Sequence, residues 1–309
     1  MRTFLTVDDV METLFNEILT GGEGSDDRTG VGTKRLFGFS ARLKFTHNKL
    51  MVPLFKPVNI KAVAAELYCF INGITNVDEL KRHGCNWWEA NLQAANAKWG
   101  TPDNRDLGPV YGAQWVKPFI CGTKVEGQTY SDPFGYQVPE YTTQMERLIE
   151  TLKTNPADRR MYVTAWNPEQ FADMALPPCY HGFQCFVNEK NELDLMFHMR
   201  SADVLLGLPH DILLHQLLLI MLAAQTGKRP GDLLFTLGDY HLYNNSFDAV
   251  EQFRKRLFKD HDCHDPASDN RPSIKSIEDV PLMDFQVADV QDMIDEYKPQ
   301  ANIKVQMAV

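Results

Sequence analysis

The sequence predicts an α/β (α+β) protein forming one domain over residues 1–309, on three observations. Residues 57–72 place Ile60, Val63, Ala64, Leu67, Phe70 and Ile71 at helical spacing and stop at Asn72-Gly73. Residues 211–226 are apolar nearly all round and end at Gly227, as a helix buried in a core does. Between them lie short runs of β-branched and aromatic residues bounded by polar turns, which read as strands.

Arg160–Trp166 is the first such strand. Gly182–Val187 and Leu193–Ser201 form a hairpin around the polar segment Asn188-Glu189-Lys190-Asn191-Glu192, and Leu233–Leu237 is a further short strand. Residues 100–106 and 117–135 are expected to be loops, as is the charged stretch 259–275. No repeat or linker divides the chain.

With 44% hydrophobic and 23% charged residues, the chain can bury a full core. A net charge of −10 argues against a general nucleic-acid-binding surface but leaves a small anionic ligand open, because local arginines overrule net charge. The N-terminus lacks a signal-type apolar core, and Leu217–Ala224 is too short to cross a bilayer, so a cytoplasmic protein without membrane partners is expected. Cys69, Cys85, Cys121, Cys179, Cys185 and Cys263 lack framework spacing and read as thiols. Asp260, His261, Cys263, His264 and Asp265 match no zinc pattern, so no metal is expected.

A hairpin turn centred between Glu189 and Lys190 sets Cys179 opposite Arg200, with Ser201 adjacent. A guanidinium beside a thiol favours the thiolate, the form that attacks carbon. Most single cysteines are merely small buried hydrophobes. Here Pro177-Pro178 fixes the backbone just ahead of the sulfur. Glu66, inside the apolar first helix, is the other residue out of place; it is either a working carboxylate or the partner of Lys61.

Six ordered blocks between residue 27 and about 250 carry a resemblance: Asp27-Arg28-Thr29-Gly30-Val31-Gly32-Thr33, Asp106-Leu107-Gly108-Pro109-Val110-Tyr111-Gly112, Asp158-Arg159-Arg160, Met174-Ala175-Leu176-Pro177-Pro178-Cys179, Arg200-Ser201-Ala202-Asp203-Val204-Leu205-Leu206-Gly207-Leu208-Pro209 and Gly238-Asp239-Tyr240-His241-Leu242-Tyr243. Together they resemble the thymidylate synthases and the related pyrimidine hydroxymethylases. The resemblance implies a homodimer with a large mixed sheet packed by helices, and 5,10-methylenetetrahydrofolate as co-substrate. It implies Cys179 as nucleophile and Glu66 as general acid/base, with Tyr111 and Asn167 around the reacting ring. Arg28, Arg200 and Ser201 would hold the nucleotide phosphate, joined by Arg159 and Arg160 of the second subunit. His241 and Tyr243 would bind the sugar hydroxyl. Lys56, Trp88, Asn91, Asp203, Gly207 and the terminal Val309 would meet the folate. Taken singly these residues have plainer readings: a solvated Arg159-Arg160 pair, a turn-forming Asp203, core positions for His241 and Tyr243.

The family pattern after Gly-Leu-Pro is an aromatic residue and asparagine; here it is His210-Asp211. A carboxylate can accept from the cytosine 4-amino group and from a protonated N3, and deoxycytidylate hydroxymethylases resemble this chain there. The plainer reading of Asp211 is the N-cap of a helix beginning at Ile212, and one aspartate can do both. Tyr180, Met199 and His198 also depart from the pattern, and Asn91 stands where a second tryptophan is usual. The expected reaction is dCMP, methylenetetrahydrofolate and water giving 5-hydroxymethyl-dCMP and tetrahydrofolate, as in viruses that modify their cytosines. The alternatives are C5 methylation of dCMP or dUMP with dihydrofolate released, and a catalytically silent binding homologue.

Overall fold

The computed structural model describes residues 1–27, 29–126, 136–257 and 270–305. The chain opens with β1 (Arg2–Phe4), α1 (Val7–Gly21), β2 (Glu23–Ser25) and β3 (Thr33–Leu43). Helices α2 (Ile60–Ile71), α3 (Val77–His83), α4 (Glu89–Trp99) and the single turn α5 (Gly112–Trp115) follow. Next come β4 (Phe119–Glu126), β5 (Tyr136–Thr142), α6 (Gln144–Thr154), β6 (Tyr162–Thr164), β7 (Tyr180–Val187) and β8 (Glu192–Asp203). Helix α7 (Leu208–Thr226), β9 (Arg229–Tyr243), α8 (Phe247–Leu257) and α9 (Gln291–Glu296) complete it.

Among the described residues the main sheet is mixed, in the order β1-β3-β9-β8-β7-β6, with β2 also on β3. Strands β8 and β9 run parallel because α7 carries the chain back between them. Alternation decides what lies beneath that helix. Leu193, Leu195, Phe197 and Met199 of β8 and Leu233, Phe235 and Leu237 of β9 face one way and are buried. Each such side chain contributes roughly 1.5–3 kcal/mol of burial. Beyond the N-terminus of α7 the same face continues as Ser201 and Asp203, registered with Asp239 and His241, and then Tyr243. The polar residues therefore begin where the apolar cover ends.

Several elements differ from expectation. Helix α7 starts at Leu208, with Pro209 in its first turn and Gly207 as its cap residue, so Asp211 is not the N-cap. Its backbone N–H already donates to the Gly207 carbonyl at 3.1 Å. By length and composition this 19-residue helix could cross a membrane, but 78% of its apolar window is buried within the fold. The expected strand at Arg160–Trp166 shrinks to β6, while Leu233–Leu237 grows into β9, whose polar ends obscured its length. Part of the expected loop at 117–135 is strand: β4 pairs with β5 as a separate two-stranded ribbon, with a bulge between Ile120 and Gly122.

Candidate active site

Cys179 lies one residue before β7. Its carbonyl accepts from Arg200 N at 2.9 Å, and its N–H donates to the Tyr111 hydroxyl at 2.7 Å. The Arg200 guanidinium is fixed by the Pro178 carbonyl (Nε, 2.9 Å) and the Pro177 carbonyl (Nη2, 2.7 Å), which leaves Nη2 4.0 Å from the sulfur. The Pro-Pro pair thus aims the positive charge at the thiol. Burial alone pushes Cys185 up to about 12, and burial with nearby Glu66 does the same to Cys69. Cys179 is only half-buried. The described cysteines are all thiols, and Cys263 lies outside the described residues.

Tyr111 holds φ +34°, ψ −100°, a region that costs a bulky residue about 1–3 kcal/mol. Packing maintains it: the ring stacks on Phe70 at 5.2 Å and 6° and lies 4.4 Å from the Tyr180 ring. The turn before it brings Gly108, at φ +74°, so close to the Asp173 carbonyl that any Cβ would overlap it.

Glu66 is buried on α2, and its partners are two indoles rather than Lys61. Trp87 Nε1 and Trp88 Nε1 both donate to Oε1, at 2.7 and 2.6 Å. Burial without a cation pushes the carboxyl up to about 7, with the indole bonds pulling the other way. Trp87 was not anticipated; the Trp87-Trp88 doublet was the available signal. Its indole also packs edge-on against the His210 ring at 5.5 Å.

Asp211, Asp203 and Lys56 gather around the first turn of α7. Burial first, then repulsion from Glu66 and Asp203, raises the Asp211 carboxyl well above its ordinary range. Asp203 Oδ1 accepts from Leu205 N and Leu206 N at 3.0 and 3.1 Å, the turn-forming role, and burial raises it too. Lys56, 3% exposed, donates from Nζ to the Leu205 carbonyl at 2.7 Å, and burial pulls it down to about 8. His210 Nδ1 donates to the Leu206 carbonyl at 2.7 Å. The donor and acceptor groups of Asp211, Asp203 and Lys56 suit a flat heteroaromatic ligand that makes polar contacts along one edge.

On β9, Asp239 Oδ1 accepts from His241 Nδ1 at 2.8 Å, which makes Nε2 the acceptor in the neutral ring. Asp239 Oδ2 meets Arg35 at 3.1 Å, a supporting contact that the sequence did not reveal. Tyr243 packs edge-on to His241. Arg28 lies outside the described residues; Asp27 accepts from Thr29 N at 3.0 Å and Gly32 N at 2.8 Å.

Other expected members have partners of their own. Arg159 and Arg160 are exposed, and Arg160 pairs with Asp158 through Nε and Nη2, both at 2.9 Å. Met161, next to them, bonds to Cys185 N, six residues along from Cys179 or about 20 Å of extended chain. Asn167 donates to Gln170 Oε1 at 2.8 Å and Gln114 Oε1 at 3.2 Å, an amide cluster that was not foreseen. Asn91 is half-buried in the first turn of α4. Val309 and the Asp260–Asp265 cluster lie outside the described residues; among the described residues no metal-ligand group occurs.

A family model described as thymidylate synthase matches residues 10–309. The bifunctional dihydrofolate reductase-thymidylate synthases of Leishmania amazonensis and Leishmania major are each 37% identical, over 300 and 301 residues. Those matches cover 96% of this chain, which spans about half (54%) of the length of each relative. The thymidylate synthase of Homo sapiens is 37% identical over 298 residues, covering 94% of this chain and 88% of the relative. This chain belongs to the thymidylate synthase family.

Proposed function

We propose that this chain is a C5 methyltransferase acting on a pyrimidine deoxynucleotide, dCMP, with 5,10-methylenetetrahydrofolate as donor and dihydrofolate as second product. The thymidylate synthase family uses that folate as co-substrate. The observation that carries the reading is Cys179 held between the Arg200 guanidinium and the Tyr111 hydroxyl.

In this reading the Cys179 thiolate adds to C6 of the base, forming the C–S bond and moving the C5–C6 electron pair onto C5. When bound, the folate supplies the one-carbon unit and, for a methyl product, the hydride. Glu66, whose carboxyl titrates near neutrality, exchanges protons with the ring and serves the removal of the C5 proton. Elimination of the thiolate restores the double bond. Arg28, Arg200 and Ser201 hold the phosphate, and His241 with Tyr243 the sugar. Arg159 and Arg160 of a second copy complete the phosphate site, a reading supported by their exposure on the surface.

Asp211 supports cytosine over uracil. As a neutral acid it donates to N3 and accepts from the 4-amino group; ionised, it accepts from both that group and a protonated N3. Uracil pairs fully only with the neutral form. Methylation is supported by the paired indoles of Trp87 and Trp88 beside Glu66, which add apolar surface next to the acid, and by the names of the relatives. A second reading, hydroxymethylation of dCMP with tetrahydrofolate released, is favoured by Asn91 itself, a half-buried amide three residues past Trp88.

Mass spectrometry of products from dCMP and dUMP, with dihydrofolate absorbance followed in parallel, tests all of this. 5-Methyl-dCMP with stoichiometric dihydrofolate is expected. A product heavier by one oxygen without dihydrofolate establishes the second reading, and turnover of dUMP alone overturns the choice of base. Cys179→Ala should abolish every product.

A further inference from the structure

The segment 53–58 has no regular secondary structure, yet side chains and backbone from three distant parts of the chain hold its polar groups. Asp8 of α1 accepts from Leu54 N, at 3.0 Å to each carboxylate oxygen, and from Phe55 N at 3.4 Å. Arg256 of α8 donates to the Phe55 carbonyl at 3.0 Å and also to the Ala301 carbonyl. From the last segment, Gln300 N donates to the Leu54 carbonyl at 2.8 Å. Tyr297 contributes most: its hydroxyl accepts from Val58 N at 3.2 Å and lies within donating distance of the Pro53 carbonyl (2.5 Å) and the Lys56 carbonyl (3.2 Å).

This loop carries one functional side chain inward. Lys56 is buried, and its Nζ ends on the Leu205 carbonyl, in the turn whose N–H groups Asp203 gathers. A buried lysine keeps such a contact only if its backbone cannot drift, since a flexible four-carbon stem otherwise follows its head toward water. Within the loop, Pro53 and Pro57 stiffen the backbone and Phe55 packs edge-on against Phe15 and Phe253, but none of these fixes the polar groups at its two ends.

We propose that Tyr297 is a positioning residue for the folate half of the site: its hydroxyl gathers the two ends of the 53–58 loop and so holds the Lys56 ammonium against the Leu205 carbonyl beside Asp203. This rests on the reading that Lys56 and Asp203 face the folate. The C-terminal segment then acts on the folate site from behind, through one phenol.

The test is Tyr297→Phe, which keeps the ring and removes the oxygen. Its KM for methylenetetrahydrofolate should rise about tenfold, the equivalent of one buried hydrogen bond, with kcat and the nucleotide KM within about threefold. A second measurement needs no turnover: acylation of Lys56 by acetic anhydride in the ligand-free protein, read by peptide mass spectrometry against Lys61, which is exposed. Acylation of Lys56 relative to Lys61 should rise about fivefold or more in Tyr297→Phe. Asp8→Asn, which weakens the same loop from the opposite side, should move it in the same direction. Unchanged Lys56 acylation in both variants, or an equal rise at every lysine, overturns the proposal. If the wild-type protein turns over no pyrimidine nucleotide, the functional reading fails while the acylation result still decides the positioning role.

Discussion

Two groups of acids near one another in sequence behave in opposite ways. Glu66 is buried with only indole N–H partners and is pushed up to about 7. Glu89, at the start of α4, is gripped by Arg105 at 2.9 and 3.0 Å and by Lys81, and is pulled down to about 2. Arg105 reaches on to Asp78, at 2.7 and 3.0 Å, and the whole group faces solvent. The surface group ties α3 to α4 and needs each of its cations. Neither Glu66 nor Asp211 is pulled down by a cation, and the Glu66 charge raises Asp211 further, which no stability argument favours. Acids buried without cations are therefore the better guide to where chemistry happens.

The largest expected effect tests that contrast directly. Glu66→Gln should lower kcat by about 10²–10⁴-fold, as loss of a general acid/base does, while Glu89→Gln stays within about threefold. Comparable losses in steady-state assays of the two variants would erase the distinction. Next is Asp211→Asn, which should shift the kcat/KM ratio of dCMP to dUMP toward dUMP by about 100-fold, because an amide pairs with uracil as fully as with cytosine whereas an ionised carboxylate leaves the uracil O4 without a donor. A ratio that does not move would make Asp211 a bystander. The smallest effect is on stability against pH, where the two glutamates carry opposite signs. Because the folded Glu66 carboxyl titrates near 7 against 4.5 unfolded, the folded state binds the extra proton, and stability falls as pH rises between those values. For Glu89, lowered on folding, the contribution is present above 4.5 and is lost as pH falls toward 2. Urea midpoints should therefore flatten between pH 4.5 and 7 in Glu66→Gln and between pH 2 and 4.5 in Glu89→Gln. Salt should weaken only the second effect.

What the sequence revealed followed from periodicity, and what it hid followed from partners. Cys179 was expected opposite Arg200 from a turn centred between Glu189 and Lys190. The actual register, Val187 with Leu193, centres the turn on Lys190, and a bulge between Tyr180 and Gly182 then shifts the pairing by one residue. Two offsets cancel, so the pairing of Cys179 with Arg200 was reached by a route that was wrong in detail. The α7 start was misplaced because Gly207-Leu208-Pro209 reads as a break, whereas proline in a first helical turn costs nothing. The β4–β5 ribbon was missed because a two-stranded ribbon buries too little to impose alternation. Burial of Glu66 between apolar neighbours was legible; that Trp87 and Trp88 share one of its oxygens was not, since that depends on how the 84–88 turn folds back onto α2.

The pairing of β3 with β9 has a consequence for how the protein is made. Leu43 pairs with Leu233, and Thr33 with Tyr243. At about 5–20 residues per second on the ribosome, β3 waits about 10–40 s for its partner to be synthesised. Throughout that interval one edge of β3 is unpaired, with Phe37 and Phe39 on the strand, so the nascent chain carries an edge open to mispairing. Because β9 also brings His241 and Tyr243, the event that closes this edge is the same one that delivers the two side chains to which we assign the sugar. An aborted chain that ends before β9 thus combines the hazard of a sticky intermediate with an unfinished nucleotide site.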